Sequence, residues 1–275
     1  MRKYIDIVRY FGILICFSVC FSVYPQQKIE DFYLSNYKNN GEKEWEVKGE
    51  KALVSERYVK IDQMKAKYFR EDDTIDIKAD KAHLDKENMN VYLNNDVHIN
   101  SKKGIELETS TLSWEQNKNR VYTDEKVEIR KESALKVEAK GMNADTELNK
   151  VSFGKEVKVN LFSKDGVINI KCNGPLEINY NEGKAIFNNN VVVDNIQGKM
   201  FANKATVYFD TVNSQVNKVV AEGDVKVIRD DNVTFAERAI YFQKENKITL
   251  EGQPRLIIFP KGKSKSFFGR RDENP

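Results

Sequence analysis

Histidine is nearly missing from this chain: His83 and His98 are the only two among 275 residues. No third ligand recurs beside them, so neither a metal site nor a histidine-based catalytic group is expected. Cysteine is as scarce. Cys16 and Cys20 lie in one apolar stretch near the start, which leaves Cys172 alone in the remainder and excludes a disulfide within it. Cys172 alternates with Ile168 and Ile170, as a buried core residue does. Glycine-rich phosphate loops and Ser/His/Asp groupings are absent, and the carboxylates fall on wet faces and in turns, so the expectation is no enzyme and no cofactor. Net charge is also small. The balance of 45 basic against 42 acidic side chains gives no case for nucleic acid. Five prolines leave room for long strands, and helical spacing fits none of the apolar patterns.

What is present is a repeat. Val97, Val127, Val157, Val191, Val225 and Pro254 each come after a short polar break, at spacings of 30, 30, 34, 34 and 29 residues. Fifteen residues upstream stand Ala82, Leu112, Met142, Leu176 and Ala239; in the Val225 copy Ala205 lies twenty back because the turn near Thr211 is longer. A register that tolerates only loop-length changes marks stacked supersecondary units. The side chains give the unit's nature. Val91/Leu93/Val97/Ile99, Val151/Phe153/Val157/Val159 and Leu176/Ile178/Tyr180 alternate apolar with polar, which is the period of strands with one dry face. Breaks such as Asn94-Asn95-Asp96, Asn188 to Asn190, Asp230-Asp231 and Asn213-Ser214 are expected to be turns. Residues 42–260 are therefore expected to form one continuous antiparallel β-structure.

The start of the chain differs. Arg2, Lys3 and Arg9 precede an apolar run from Tyr10 to Tyr24, which orients the segment with its amino end in the cytoplasm and exports the rest of the chain. No Ala-x-Ala-like site comes after the run, which favours an uncleaved membrane anchor over a removed signal. The expected organisation is an anchor at 1–27, a linker at 28–41, β-structure at 42–165 and 166–260, and a basic tail at 261–275.

Trp45-Glu-Val-Lys-Gly-Glu-Lys-Ala52, with Val59 to Phe69 after it, resembles the opening strands of LptC, the membrane-anchored periplasmic protein of lipopolysaccharide export. Leu112-Ser-Trp through Val127, and Ala139 to Val159, look like its later strands. From about Gly166 the chain is more similar to LptA, the OstA-like bridge protein, in Ala202-Asn-Lys-Ala205, Val219 to Val227 and Ala236 to Tyr241. The resemblance covers nearly everything from Trp45 to Ile258. It implies an all-β, V-shaped antiparallel jellyroll open along one side, with one N-terminal transmembrane helix.

That fold implies a function. An apolar trough with charges outside suits a lipid whose acyl chains are buried and whose sugars stay in water, worth about 0.8 kcal/mol per methylene. The resemblance names lipopolysaccharide as cargo, the transporter LptB, LptF and LptG as donor, LptA or the LptD jellyroll as acceptor, and the inner membrane as the anchor's site. Candidate groove residues are Leu93, Val97, Leu112, Val127, Met142, Phe153, Val157, Val159, Leu176, Ile178, Phe187, Val191, Val225 and Leu250. The same side chains could instead fill a closed sandwich core. Trp45 and Val47 at the first strand, and Leu256, Ile257 and Ile258 at the last, are the candidate edges for head-to-tail strand pairing. An exported adhesive β-repeat without lipid cargo is the alternative.

Overall fold

The left-handed backbone positions that shape this fold lie mostly inside strands rather than between them. In the computed structural model residues 27–258 are described, apart from 164–165, 197, 212–214, 230–231 and 246. Seventeen strands succeed one another: β1 (Gln27–Tyr37), β2 (Lys43–Val54), β3 (Tyr58–Phe69), β4 (Thr74–Asp85), β5 (Asn90–Ser101), β6 (Ile105–Glu115), β7 (Arg120–Lys131), β8 (Leu135–Asp145), β9 (Lys150–Ser163), β10 (Gly166–Cys172), β11 (Leu176–Asn179), β12 (Lys184–Asn195), β13 (Gly198–Phe209), β14 (Val216–Arg229), β15 (Asn232–Phe242), β16 (Lys247–Glu251) and β17 (Arg255–Ile257). Pairing is antiparallel throughout, and strands next to each other in sequence are next to each other in the sheet, with two shared positions. β10 and β11 lie end to end between β9 and β12, and β16 and β17 lie end to end along β15. The all-β antiparallel expectation holds.

Most strands change register near their middle. In β5 the shift falls between Asn94 and Val97, where Asn95 (φ 60°) and Asp96 (φ 49°) are left-handed, and in β12 it falls at Asn189 and Asn190. Asn and Asp tolerate that conformation, and an extra residue of this kind bends a strand without ending its pairing. Asn94 to Asp96 and Asn188 to Asn190 are therefore bends within β5 and β12, not the turns their composition suggests. The other two expected turns, at Asp230-Asp231 and Asn213-Ser214, lie outside the described residues. At the β10/β11 break the bend is made by Gly174 (φ +93°), where any side chain would collide with the Gly154 carbonyl of β9.

Among the described residues no second sheet or helix covers the apolar face, so the sheet buries it by folding on itself along this line of bends. The repeat marks that corner. Val97, Val127, Val157, Val191 and Val225 are 0–1% exposed, and Pro254 is at the exposed break between β16 and β17. Across the corner three of the valines face a smaller residue on the next strand, so that large and small alternate: Val127 with Ala139, Val191 with Ala202 and Val225 with Ala236. Neighbouring side chains on the inside of a bend compete for space, and this alternation lets them interlock at interior density.

The start of the sheet corrects the sequence expectation. Residues 28–37, expected as linker, belong to β1, which pairs with β2 from Gln27↔Val54 to Tyr37↔Lys43. Phe32 is its one buried residue, and it lies against Gly49 of β2, where a Cβ would stand 3.0 Å from its ring and 2.7 Å from Ile61. Tyr33 donates to Glu46 (2.9 Å), and Lys43 donates to both Tyr33 (2.9 Å) and Glu46 (2.8 Å). Trp45 and Val47 are thus covered, and β1 is the edge. The anchor expected at 1–27 falls, save for Gln27, outside the described residues, as does the tail at 261–275; among the described residues no helix is long and apolar enough to cross a membrane.

Candidate functional site

The bend divides the long strands into two arms, and on most of them burial falls along the arms away from the corner; β8 to β10 are the exception, where Val137, Ala144, Val159 and Ile170 are as fully buried as the floor. On β7 Thr123 and Val127 are buried while Val121 and Ile129, the next inward positions, are half-buried; β5 repeats this with Leu93 and Val97 against Val91 and Ile99. The inner face is consequently closed at its floor and accessible towards the hairpin tips.

Register gives the walls. On the first arm Leu34, Val47, Ala66, Ile77, Ile99, Leu107, Ile129, Val137, Val159, Ile170, Val193, Met200, Val227, Thr234 and Leu256 stand opposite one another in turn, from β1 to β17. On the second arm the row runs Val54, Val59, Leu84, Val91, Trp114, Val121, Ala144, Val151, Ile178, Ala185, Val207, Val219, Tyr241 and Ile248. Apart from Thr234, the Trp114 indole N–H and the Tyr241 hydroxyl, neither row contains a polar side-chain group. At about 4.8 Å per strand the first row is roughly 65 Å long.

Twelve of the fourteen candidate groove residues are fully buried: Leu93, Val97, Leu112, Val127, Met142, Phe153, Val157, Leu176, Phe187, Val191 and Val225 form the floor, and Val159 belongs to the first wall. Ile178 and Leu250 are half-buried. Most of the accessible wall escapes the candidate set because it lies one step further along the same alternation. The floor has one polar spot, where Thr123 lies 3.4 and 3.3 Å from the Thr109 and Thr111 hydroxyls and accepts from the Glu125 amide (3.1 Å).

The outer face carries the charge. Arg130 reaches Glu106 (3.8 Å), Glu108 (3.4 Å) and Glu128, and Lys136 reaches Glu128 (3.3 Å) and Glu138 (3.0 Å). The hydrogen bond from Lys136 holds the Glu138 carboxyl below its ordinary range, while the same bond raises Lys136. Both histidines face this side. His83 stacks on Tyr58 at 5.4 Å, and His98 lies 2.9 Å from Asp96 and 3.7 Å from Glu108. Leu256, Ile257 and Ile258 at the far edge are 45–64% exposed, and Ile29, Tyr33, Leu34 and Tyr37 are exposed on β1.

The model of the LptC-related lipopolysaccharide-assembly family matches residues 22–163, more than half of the chain. The chain belongs to that family. A second model, of the LptA/LptD N-terminal-domain LPS transport proteins, matches residues 173–271. No curated protein is similar in sequence. Among solved structures, LptH, the LptA-homologous periplasmic component of the lipopolysaccharide transport device of Pseudomonas aeruginosa, matches 58% of this chain and 97% of its own at 10% identity and a TM-score of 0.28. This is an LptC-like chain with an LptA-like extension, and its role is in lipopolysaccharide transport with other Lpt proteins, the bulk of the chain being periplasmic. The two matched regions meet at β10, yet one hydrophobic cluster runs through the junction from Met64 to Ala205. The extension shares the core of the LptC-like part.

Proposed function

We propose that the inner face is the path along which this LptC-like protein carries lipopolysaccharide, with acyl chains between the two arms and sugars and phosphates outside the mouth. The observation that carries this reading is the pair of apolar rows running through the whole sheet. A closed core needs no such continuity, whereas a moving lipid meets a barrier wherever a polar residue interrupts its wall. At about 0.8 kcal/mol per buried methylene, several acyl chains bind too tightly for spontaneous movement, so the lipid is pushed from behind by the LptB, LptF and LptG transporter. The N-terminal apolar run tethers the chain to the inner membrane, the β1 end receives lipid, and the β16/β17 edge passes it on by strand pairing with an LptA or LptD jellyroll.

A photo-crosslinking residue tests the path. Placed at Ile129 or Val193 on the half-buried wall of the full chain in cells, it is expected to capture lipopolysaccharide, and at Glu128 on the outer face it is not. Equal capture at both, or none on the wall, would remove the groove from the mechanism. The same residue at Ile258 is expected to capture a second jellyroll protein. A chain captured by nothing there would be a lipid carrier that works alone.

A further inference from the structure

The outer face of the first arm changes character along the sheet. From β2 to β9 the two outward registers hold only polar and charged residues, among them the Glu106, Arg130 and Lys136 network. From β12 to β17 the same two registers hold Val192, Phe201, Phe235, Ile228, Val233 and Ile257. These are outward positions, because their neighbours Val193, Met200, Val227 and Leu256 form the inner wall. Apolar side chains here contribute nothing to the floor or the trough.

The remaining residues of the patch are mostly cations. Lys226 lies between the two rings, 5.9 Å from the centre of Phe201 and 5.9 Å from that of Phe235, and Arg255 lies opposite Phe235. Among the described residues no ion pair holds Lys226 or Arg255, and Asp194, the one acid in these two registers from β12 to β17, is held by Lys199 at 2.9 Å. Five strands at about 4.8 Å and two outward positions per strand give a surface on the order of 250 Å². A stable protein interface needs roughly 800 Å² from each side, so a lasting protein partner is too large for this patch. The sequence beyond residue 258 is itself rich in cations, Lys261, Lys263, Lys265, Arg270 and Arg271, which repel Lys226 and Arg255 rather than complement them.

We infer that this face rests on the surface of an anionic bilayer, with Phe201, Phe235 and Ile257 at the level of the lipid headgroups and Lys226 and Arg255 on their phosphates. Aromatic and aliphatic side chains interleaved with cations have the chemistry of interfacial binding, in which each Lys or Arg contributes about 1 kcal/mol against anionic lipid, or about fivefold in partitioning. The basic sequence after β17, with Phe267 and Phe268 in it, has the same composition. The inference stands apart from the groove, whose residues lie on the opposite face.

The test uses the full chain held in neutral phosphatidylcholine nanodiscs, with Phe235→Trp as the probe and the parent protein as the baseline for Trp45 and Trp114. Vesicles of brominated lipid are added, either pure phosphatidylcholine or rich in phosphatidylglycerol. Quenching of the new tryptophan is expected only with the anionic vesicles, weakened about fivefold by Lys226→Gln and again by Arg255→Gln, and lost at high salt. A tryptophan in place of Asn100, on the polar part of the same outer face, is expected to show none. No quenching at Phe235→Trp, or equal quenching at both sites, would overturn the inference. So would a spectral change on adding soluble periplasmic extract without any quenching by vesicles, which would mark the patch as a protein contact.

Discussion

Beneath β5 to β12 the floor of the fold is filled by Leu93, Leu112, Met142, Phe153, Leu176 and Phe187, with Thr123 of β7 the one small residue among them, whereas beneath β13 to β15 the matching register holds Ala205, Ala221 and Ala239. The backbone does not distinguish the two regions. Phe187 stands opposite Ala205, Ala205 opposite Ala221 and Ala221 opposite Ala239 in one unbroken antiparallel register, and all are buried. The difference is side-chain volume alone, and it splits the core: Ala202, Ala221, Val225, Ala236 and Ala239 form a cluster apart from the larger one. Shape in this fold is therefore set by where the strands bend, and stability by what fills the bend. At about 0.8 kcal/mol per buried methylene, the alanine floor holds its strands less firmly than the bulky one.

The largest test removes the bulk. Phe153 is 2% exposed between Met142 and Leu176, and Phe153→Ala is expected to cost about 3–5 kcal/mol in a denaturant titration of the purified chain. The matching truncation at the other end, Ala239→Gly, is expected to cost no more than about 1 kcal/mol, mostly through backbone freedom. Equal losses would abolish the distinction between the two floors. The converse change sharpens it. Ala221 is 1% exposed, and Ala221→Leu is expected to destabilise by about 1–3 kcal/mol through overpacking. If that leucine is accommodated without loss, the alanine floor is spacious rather than tight, and the trough deepens towards its exit.

Much of this was legible in the sequence, because the repeat is a repeat of corners. Val97, Val127, Val157, Val191 and Val225, picked out by the polar break before each and by their spacing, are the valines with almost no exposed surface. Depth was not legible. Period two tells which face a residue takes but not how far it stands from a bend, so Val127 and Ile129 read alike although one is sealed and the other forms wall. The bends were misread for a related reason, since Asn and Asp favour both hairpin turns and left-handed bulges, and only pairing on both sides tells them apart. β1 escaped notice because an edge strand needs little burial: among Gln27 to Tyr37 only Phe32 is sealed, with Asp31 left-handed beside it. The two outer-face characters were hidden too, since a register is needed to learn that Phe201 and Phe235 point away from the trough.

A smaller effect concerns local opening. Segments held by fewer buried methylenes open with less free energy than the global transition. Amides of β13 to β15 are expected to exchange with deuterium earlier than those of β5 to β9 under native conditions, and Phe153→Ala is expected to narrow that gap. Uniform protection along the sheet would show that backbone pairing, common to both regions, outweighs the difference in their floors.

The smallest effect is electrostatic, and it separates the same two regions by pH. Glu138 on β8 is held below its ordinary value of 4.5, chiefly by the hydrogen bond from Lys136, so its contribution is complete above that value and is lost as pH falls through the lowered one. Lys136 is raised above its ordinary 10.5, chiefly by Glu138, so its share is complete below 10.5 and is lost as pH rises through the raised value. Between those limits the pair and its neighbours Glu128 and Arg130 add a small, salt-sensitive stabilisation to β7 and β8. On the outer face of the first arm, Phe201 and Phe235 stand where that network would continue, so the acid limb should be felt at the bulky end. As pH falls below 4.5, hydrogen-exchange protection, corrected for the intrinsic rate of each amide, is expected to drop in β6 to β8 before it drops on the first arm of β13 to β15, and Glu138→Gln is expected to flatten that drop. An acid response of the same size in both regions would mean that these carboxylates are solvated bystanders.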